Sequence, residues 1–170
     1  MRRFEDYLKV ILLQEGGSKY TEDESDMGGA TKFGISLNFY KNIKPLATKE
    51  DIKNLTEEEA KQIYRIHFWN RMNLDYLDNE LLKLHIFSHG VNAGVATAVK
   101  MLQRILGVIV DGKLGKTTAM TTNKYRHQPE LVQGYANARK VFYDTIVSKN
   151  PSQSKFIKGW YNRVDNTKFI

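Results

Sequence analysis

The chain contains no cysteine among its 170 residues. Disulfide bridges, thiolate metal ligands and a cysteine nucleophile are therefore excluded together. It has only three prolines, and its longest unbroken apolar run, Val10 to Leu13, is far shorter than the roughly 20 residues of a membrane-spanning helix. What remains is an ordinary globular composition, 41% hydrophobic and 26% charged, which predicts a single domain over residues 1–170.

Acidic residues are the scarcer charged class, with 19 Asp and Glu against 26 Lys and Arg. The resulting net charge of +7 favours anionic partners such as nucleic acid, anionic lipid or a cell-wall polymer, without choosing among them. Met1-Arg2-Arg3 begins like a signal peptide, but Glu5 and Asp6 interrupt the apolar stretch that a signal peptide needs next. We expect synthesis in the cytoplasm without a signal peptide, so that action outside the cell requires release by another factor.

Hydrophobic spacing at the N-terminus predicts an amphipathic helix, from Phe4 to the pair Gly16-Gly17. The stretch from Ser18 to Ile35 has no helical period. There, Tyr20-Thr21 and residues 31–33 are expected to form short strands around a turn at Gly28-Gly29.

The rest of the chain is predicted to be helical. Start and stop signals predict helices from Ser36 to Ile43, after the capping box of Thr56 and Glu59, over about 78–89, from Val95, and after Pro129. The predicted fold class is mainly α (α+β), with one small β-hairpin inserted after the first helix. Residues 95–170 are expected to be part of that domain rather than an independent one.

Glu15 combines two features that suit a general acid. It prolongs the apolar stripe of Ile11 and Leu12, and it lies in the last turn of its predicted helix, where the dipole is negative. Both features disfavour the ionised carboxylate and raise its expected pKa, so that it can protonate a departing oxygen. Gly16 and Gly17 permit a close approach of substrate or hairpin to the backbone.

A second carboxylate, Asp26, lies in a polar glycine-rich loop, where it is expected to stay ionised, and Thr31 follows on a predicted strand. Two carboxyl groups in contrasting environments are typical of glycoside hydrolysis. By themselves, however, a glutamate at a helix end and an aspartate in a turn are more often structural.

A longer motif favours the catalytic interpretation of Glu15 and Asp26 over the structural one. After Glu15-Gly16-Gly17, the chain presents Tyr20, Asp23, Asp26, Gly28, Gly29, Thr31, Phe33, Gly34, Ile35 and Ser36 in order. Further strings are Leu55, Thr56, Ala60, Ile63, Tyr64 and Trp69, then Val91, Asn92 and Gly94, and finally Arg139 to Tyr143 and Gly159 to Arg163. Over essentially its whole length the chain resembles glycoside hydrolase family 108, the N-acetylmuramidases also known as secretion activators and found among phage and prophage endolysins.

The resemblance implies a lysozyme-like fold and a bacteriolytic enzyme without a cofactor or metal. It implies Glu15 as the catalytic acid, with Asp26 as the second carboxylate and Thr31 as the residue that positions water. Residues expected to contact peptidoglycan glycan strands are Gly16, Gly17, Tyr20, Gly29, Tyr64, Asn92 and Tyr161. For Asn92 the alternative is a cap on its helix. A holin-type membrane partner is the expected means of release, and the protein is expected to be a monomer.

Two positions depart from the family pattern. Ser88 stands where the family often has Asp, and Asp23-Glu24 replaces a common Asp-Pro pair. Either departure bears on substrate binding, and neither touches Glu15.

Other features admit structural readings. His85 and His89 have metal-ligand spacing but lack the glutamate of a metalloprotease motif, so a packed pair is expected. The segment Leu102-Gln103…Asp111-Gly112…Gly115…Thr117 resembles a peptidoglycan-binding signature. The alternative is a helix–turn–helix corner in which Gly112 and Gly115 take positive φ and Asp111 bonds the turn.

The sequence therefore predicts a lysozyme-type N-acetylmuramidase. A lytic transglycosylase acting on the same bond remains open, because it too needs one acid/base glutamate. From another class, a non-catalytic wall-binding protein or a DNA-binding helix-turn-helix protein remains open. The candidate recognition helix carries mainly Lys116 and Lys124, a sparse set for reading bases, so specific nucleic-acid binding is not expected.

Overall fold

A computed structural model describes residues 2–22 and 29–169 of the chain. The described residues form two compact units. The hairpin unit is Phe4–Arg65, and the helical unit comprises residues 2–3 and 66–169. A single domain over residues 1–170 stays a prediction.

The hairpin unit contains four helices and two short strands among its described residues. They are α1 (Phe4–Gln14), β1 (Thr31–Lys32), β2 (Ile35–Ser36), α2 (Leu37–Lys41), α3 (Lys49–Asn54) and α4 (Glu57–Tyr64). Helix α1 buries the predicted stripe, including Phe4, Tyr7, Leu8 and Ile11.

Side-chain caps fix where these helices begin. Ser36 accepts a hydrogen bond from the Phe39 N–H and begins α2, as its position in the sequence predicts. Thr56 and Glu59 form the predicted reciprocal capping box at α4. A second capping box, formed by Thr48 and Asp51, begins α3.

The hairpin differs from the sequence-based expectation. Strand β1 pairs with β2 in an antiparallel register, Thr31 opposite Ser36 and Lys32 opposite Ile35, so the turn is at 33–34. Of the expected pairing between residues 20–21 and 31–33, the structure contains one antiparallel bridge, between Thr21 and Thr31. Gly28, half of the expected turn, lies outside the described residues. The strand prediction was wrong at Phe33, which lies in the turn between β1 and β2 rather than in a strand.

The helical unit contains five helices among its described residues. They are α5 (Glu80–Ala93), α6 (Val95–Leu106), α7 (Lys116–Asn123), α8 (Gln128–Lys149) and α9 (Ile157–Asp165). A π-helical turn, Arg65–Trp69, and two short 3-10 turns lead into α5, and a 3-10 segment, Pro151–Phe156, joins α8 to α9.

Helix α5 forms the centre of this unit. Nine consecutive residues, from Leu82 to Gly90, are buried, so the helix is enclosed on all sides by its neighbours. Trp69 is 2% exposed and meets Phe87 edge to face, with ring centroids 5.3 Å apart. It is a core residue rather than a sugar-stacking one.

The described chain is mainly helical, with a small hairpin after the first helix, and confirms the predicted fold class. The predicted turn after α6 is also present. Gly112 has φ of 78°, but Gly115 has φ of −93°, so the expectation of a positive φ at Gly115 was wrong. Across residues 2–22 and 29–169, no helix is both long and apolar enough to cross a lipid bilayer.

Candidate active site

Glu15 directly follows the last residue of α1, Gln14. Its N–H donates to the Ile11 carbonyl at 2.9 Å, and the Gly17 N–H donates to the Leu12 carbonyl at 2.8 Å. With Gly16 at φ 87°, this is a Schellman cap, which requires a left-handed residue just after the last helical one. The two glycines therefore stop the helix and fix the Cα of Glu15. Glu15 therefore lies one residue beyond α1 rather than inside its last turn, where the sequence placed it.

The hairpin turn is built from two left-handed residues. Phe33 has φ of 52° and Gly34 has φ of 74°. Positive φ at both central residues of a two-residue loop is the type I′ geometry, whose twist matches that of the paired strands. A phenylalanine is uncommon in this conformation, but its side chain is 6% exposed, so burial helps to offset the strain.

This turn packs directly on Glu15. A Cβ placed on Gly34 would lie 2.6 Å from the Glu15 Cβ and 2.9 Å from its Cγ, closer than real Cβ contacts allow. The Oε1 atom of Glu15 is buried. Glycine at position 34 is thus the residue that lets the hairpin approach the carboxylate side chain.

Tyr64, at the end of α4, holds the turn in place. Its hydroxyl donates to the Phe33 carbonyl at 2.8 Å and would lie 2.7 Å from a Cβ on Gly34. The ring is fully buried, at 0% exposure, and has no face open to a sugar. Direct substrate contact by Tyr64 is therefore at odds with the structure. Its contacts are those of a residue that positions the hairpin against Glu15.

The role of Gly34 and Tyr64 as one assembly was missed from the sequence. The signal that could have found it was an X-Gly pair, Phe33-Gly34, between Thr31-Lys32 and Ile35-Ser36, which is the pattern of a two-residue hairpin. No sequence signal placed α4 beside that turn.

The other residues expected near Glu15 have simple environments. Thr31 is half-buried, and its backbone N–H and carbonyl both bond Thr21, at 2.8 and 2.9 Å. Gly29 has φ of 67°. The Tyr20 hydroxyl donates to Glu22 at 2.9 Å, and this hydrogen bond raises the pKa of the phenol.

Asp26, the expected second carboxylate, lies outside the described residues. Its role stays a prediction, together with those of Glu15, Thr31 and the substrate-binding residues other than Tyr64.

A surface groove of about 670 Å³ lies within the hairpin unit and includes Gly17 in its lining. Its walls come from the exposed side of α1, including Leu12 and Leu13, and from the first turns of α4. Gly17 therefore borders open space on the surface of its own unit, and no atom would lie within 4 Å of a Cβ at that position.

Asn92 and Tyr161, the two remaining candidates, belong to the helical unit. The Asn92 amide donates to the Ser88 carbonyl at 2.7 Å and its oxygen accepts from Arg163. Both ends of that amide are thus used within the unit, which favours the capping interpretation. The Tyr161 hydroxyl donates to Asp144 at 2.5 Å, and the Lys140 ammonium lies 5.3 Å from its ring centroid.

The helical unit buries a guanidinium. Arg139 is 0% exposed and donates to Ser88 Oγ at 3.0 Å and to Thr167 Oγ1 at 3.3 Å, with His85 Nδ1 also 3.3 Å away. These contacting groups are hydroxyls and an imidazole. Ser88, the position where the family often has Asp, therefore supplies a neutral acceptor to a buried cation. Burial lowers the pKa of Arg139.

The two histidines of α5 are core residues, as expected. His85 and His89 are 5% and 0% exposed, and the His89 ring meets Tyr135 Oη at 3.1 Å. Burial, followed by the charge of Arg139, lowers the pKa of both imidazoles to about 3. In the part of the chain that the structure describes, no group of three or more His, Asp or Glu side chains is arranged to hold a metal ion.

Gln103 organises the segment that resembles a peptidoglycan-binding signature. The amide is 1% exposed, and its nitrogen donates to Asp111 at 2.7 Å and to the Lys113 carbonyl at 3.0 Å. Its oxygen accepts from the Gly112 N–H at 2.8 Å. As predicted, Asp111 bonds the turn, by accepting from the Lys113 N–H at 2.8 Å. The hydrogen bonds of these motif residues thus hold the loop after α6 in its conformation.

Comparisons with known proteins agree with this architecture. A family model described as glycosyl hydrolase 108 matches residues 8–94, and one described as a predicted peptidoglycan domain matches residues 97–165. Among solved structures, SagA of Brucella abortus is similar with a TM-score of 0.82 and 27% sequence identity, over 97% of this chain and 92% of that one. No curated protein sequence matches.

Proposed function

Because the chain belongs to the glycosyl hydrolase 108 family, we propose that it is an N-acetylmuramidase with Glu15 as its general acid. The family match supports a glycoside hydrolase, and the two domain matches together support a peptidoglycan hydrolase. The finer statement is that the enzyme cleaves the β-1,4 bond between N-acetylmuramic acid and N-acetylglucosamine.

The environment of Glu15 is the observation that carries this proposal. The carboxylate side chain is fixed at its base by a helix cap and on one side by the turn at Gly34, and one of its oxygens is buried. A general acid must be held at a set distance from the oxygen that it protonates, and a rigid support of this kind meets that requirement.

In the proposed reaction, the Glu15 carboxyl group gives its proton to the glycosidic oxygen. The bond between that oxygen and C1 of N-acetylmuramic acid breaks, and the N-acetylglucosamine hydroxyl leaves. The positive charge that develops at C1 is stabilised by the carboxylate of Asp26, or is met by a water that Asp26 activates. Thr31 positions this water. The water oxygen bonds to C1 and stays there as a hydroxyl group, and the proton that it releases goes to a carboxylate.

Glu15→Gln removes the acid while keeping the side-chain size. We expect purified sacculi to keep their turbidity with this variant and to lose it with the parent enzyme. Glu50→Gln is the matched control, since Glu50 is an exposed glutamate of the same unit whose carboxylate accepts from Asn54 at 3.0 Å. Full activity of Glu15→Gln would refute the assignment, and equal losses in both variants would show a non-specific effect.

A lytic transglycosylase acting on the same bond is separated by the products. Hydrolysis leaves a reducing N-acetylmuramic acid end, whereas attack by the sugar's own hydroxyl leaves an anhydro end, one water lighter. Mass spectrometry of the released fragments distinguishes them. Anhydro ends would contradict hydrolysis while keeping Glu15 as the acid.

The proposal extends to where the enzyme acts. A chain synthesised in the cytoplasm reaches peptidoglycan after a holin-type partner opens the membrane. Cell fractionation tests this step. Finding the protein in the periplasm of intact cells without such a partner would contradict it.

A further inference from the structure

The net positive charge of the chain is confined to one part of it. Residues 66–170 hold fifteen Lys and Arg against seven Asp and Glu, whereas residues 4–65 hold nine against twelve. The segment that matches the peptidoglycan domain is therefore basic, and the part that carries Glu15 is acidic. Such a division indicates that attraction to an anionic partner is a property of the helical unit.

Two exposed basic patches stand out in the helical unit. The first, which we call the loop patch, surrounds the turn after α6 and comprises Arg104, Lys113 and Lys116. Its exposed apolar residues are aliphatic, Ile109 at 84% and Val110 at 39% exposure.

The second, which we call the aromatic patch, lies where α8 passes into α9. Its exposed cations are Lys149, Lys155 and Lys158, and its exposed apolar residue is Phe156, at 45% exposure. The Lys155 ammonium lies 5.0 Å from the centroid of the Phe156 ring.

The Phe156 ring is supported from below by a column of rings. It lies 5.9 Å from Trp160, tilted by 32°, and Trp160 stacks on the buried Tyr143 at 5.1 Å. The column is anchored in the apolar cluster of α8 and α9. An exposed ring that is already immobilised loses little conformational freedom when a ligand packs on it.

Lys149 lies in the last turn of α8, where a cation is favourable, but Lys155 and Lys158 are not placed to stabilise a helix. Lys155 and Lys158 are three residues apart and carry like charges. Lys158 lies in the first turn of α9, where a cation opposes the helix dipole, and that turn contains no acidic residue. Asp144 and Asp165, the acidic residues of α9 and of the C-terminal half of α8, bond Tyr161 and Lys140 instead. The like charges are thus left available to an anionic ligand.

We propose that the aromatic patch is a peptidoglycan-contact surface, with Phe156 packing on the C–H face of a sugar and the lysines attracting the carboxylates of the stem peptides. This inference rests on the proposed function for its choice of polymer. Peptidoglycan joins sugar rings to carboxylate-bearing peptides at a regular interval. An exposed aromatic ring with a lysine beside it and two more lysines in the same segment complements this polymer better than exposed aliphatic residues do. The contact would keep the enzyme on its insoluble substrate between cleavage events.

The test uses the full chain carrying Glu15→Gln, labelled and sedimented with purified sacculi. Replacing the three lysines of the aromatic patch with Gln is expected to weaken binding about tenfold, and Phe156→Ala about fivefold. Binding of the parent is expected to fall as salt is raised. Thermal unfolding of each variant shows whether the fold is intact, and the lysine variant stays informative if Phe156→Ala does not fold.

The matched control replaces Arg104, Lys113 and Lys116 with Gln, which changes the net charge by the same amount. We expect it to bind sacculi nearly as the parent does. Equal weakening by both triple variants would overturn the proposal in favour of net charge alone. The variants of the aromatic patch are also tested with anionic phospholipid vesicles. If they lose binding to the vesicles while they bind sacculi as the parent does, the proposal would be overturned and the patch would be a membrane-binding surface.

Failure of the two proposals can be told apart. If the parent chain releases no sugar ends from sacculi but its binding still depends on the aromatic patch, the proposed hydrolysis fails and the contact surface is supported. If lysis proceeds and the patch variants bind sacculi as the parent does, the contact surface fails and the hydrolase is supported.

Discussion

Gly34 and Glu15 are in such close contact that no side chain fits between them. A Cβ at position 34 would approach the Glu15 Cβ to 2.6 Å. The hairpin therefore contacts the proposed acid through its backbone, and this contact is possible only because residue 34 is glycine. Tyr64 completes the arrangement by bonding the carbonyl of the preceding residue, Phe33.

Gly34→Ala is predicted to reduce hydrolysis of sacculi on the order of 100-fold, because displacing a catalytic group by even 1 Å costs about that much. It should also lower stability by more than the about 1–2 kcal/mol of a left-handed alanine. Gly107→Ala is the control, since Gly107 has φ of 68° but no atom within 4 Å of its Cβ position. Equal losses of activity in the two variants would mean that the Glu15 contact is irrelevant.

Tyr64→Phe is predicted to leave the Phe33 carbonyl without its hydrogen bond and to cost about 1–3 kcal/mol of stability. Activity measured well below the melting temperature should still fall, because the turn beside Glu15 is loosened. The expected signature is a lower kcat with little change in KM, as Tyr64 is buried away from substrate.

Tyr135→Phe separates this effect from a general loss of stability. Tyr135 is equally buried, and its hydroxyl donates to the Ala98 carbonyl at 2.9 Å in the helical unit. Its variant should lose comparable stability and keep its kcat. A matching fall in kcat for both tyrosines would remove Tyr64 from the support of Glu15.

Local signals in the sequence predicted the local structure well. The caps at Ser36 and Thr56, the glycine stop after Glu15 and the proline in the first turn of α8 all lie where the sequence placed them. Each is a short-range hydrogen bond or a backbone preference, encoded within a few residues.

Long-range packing was not predictable in the same way. Tyr64 looked like an aromatic residue available to sugar, and only the packing of α4 on the hairpin shows that its ring is enclosed. Similarly, the sequence marked Ser88 as a departure without revealing Arg139 as its partner, 51 residues away. Periodicity shows that a residue is buried but not which residue it meets.

Ser88→Ala tests that partnership. Removing the hydroxyl leaves a buried Arg139 nitrogen without the acceptor it has at 3.0 Å, and hydrogen bonds to charged groups contribute about 1.5–3 kcal/mol. We expect a fall in unfolding free energy of that size by denaturant titration. Ser152→Ala, at an exposed position, should change it little. Comparable values for the two serines would show that the guanidinium does not depend on Ser88.

The buried histidines predict a loss of stability in mild acid. Their folded pKa of about 3 lies below the ordinary value of 6.5, so the unfolded chain binds protons that the folded chain excludes. The stabilisation is fully present above pH 6.5 and is lost as the pH falls from about 6.5 towards 3. Each histidine contributes a slope of up to about 1.4 kcal/mol per pH unit in that interval.

Melting temperatures between pH 7 and pH 5 measure this effect, because stabilisation by carboxylates with lowered pKa, such as Asp51 and Glu59, is lost at lower pH. His85→Gln and His89→Gln should each flatten the dependence of stability on pH, even where they lower stability at pH 7. His127→Gln, at an exposed position at the start of α8, should leave the slope unchanged. If all three variants kept the parent's slope, the excluded protons would have to belong to other groups, and the neutral imidazoles beside Arg139 would not be the source of the acid sensitivity.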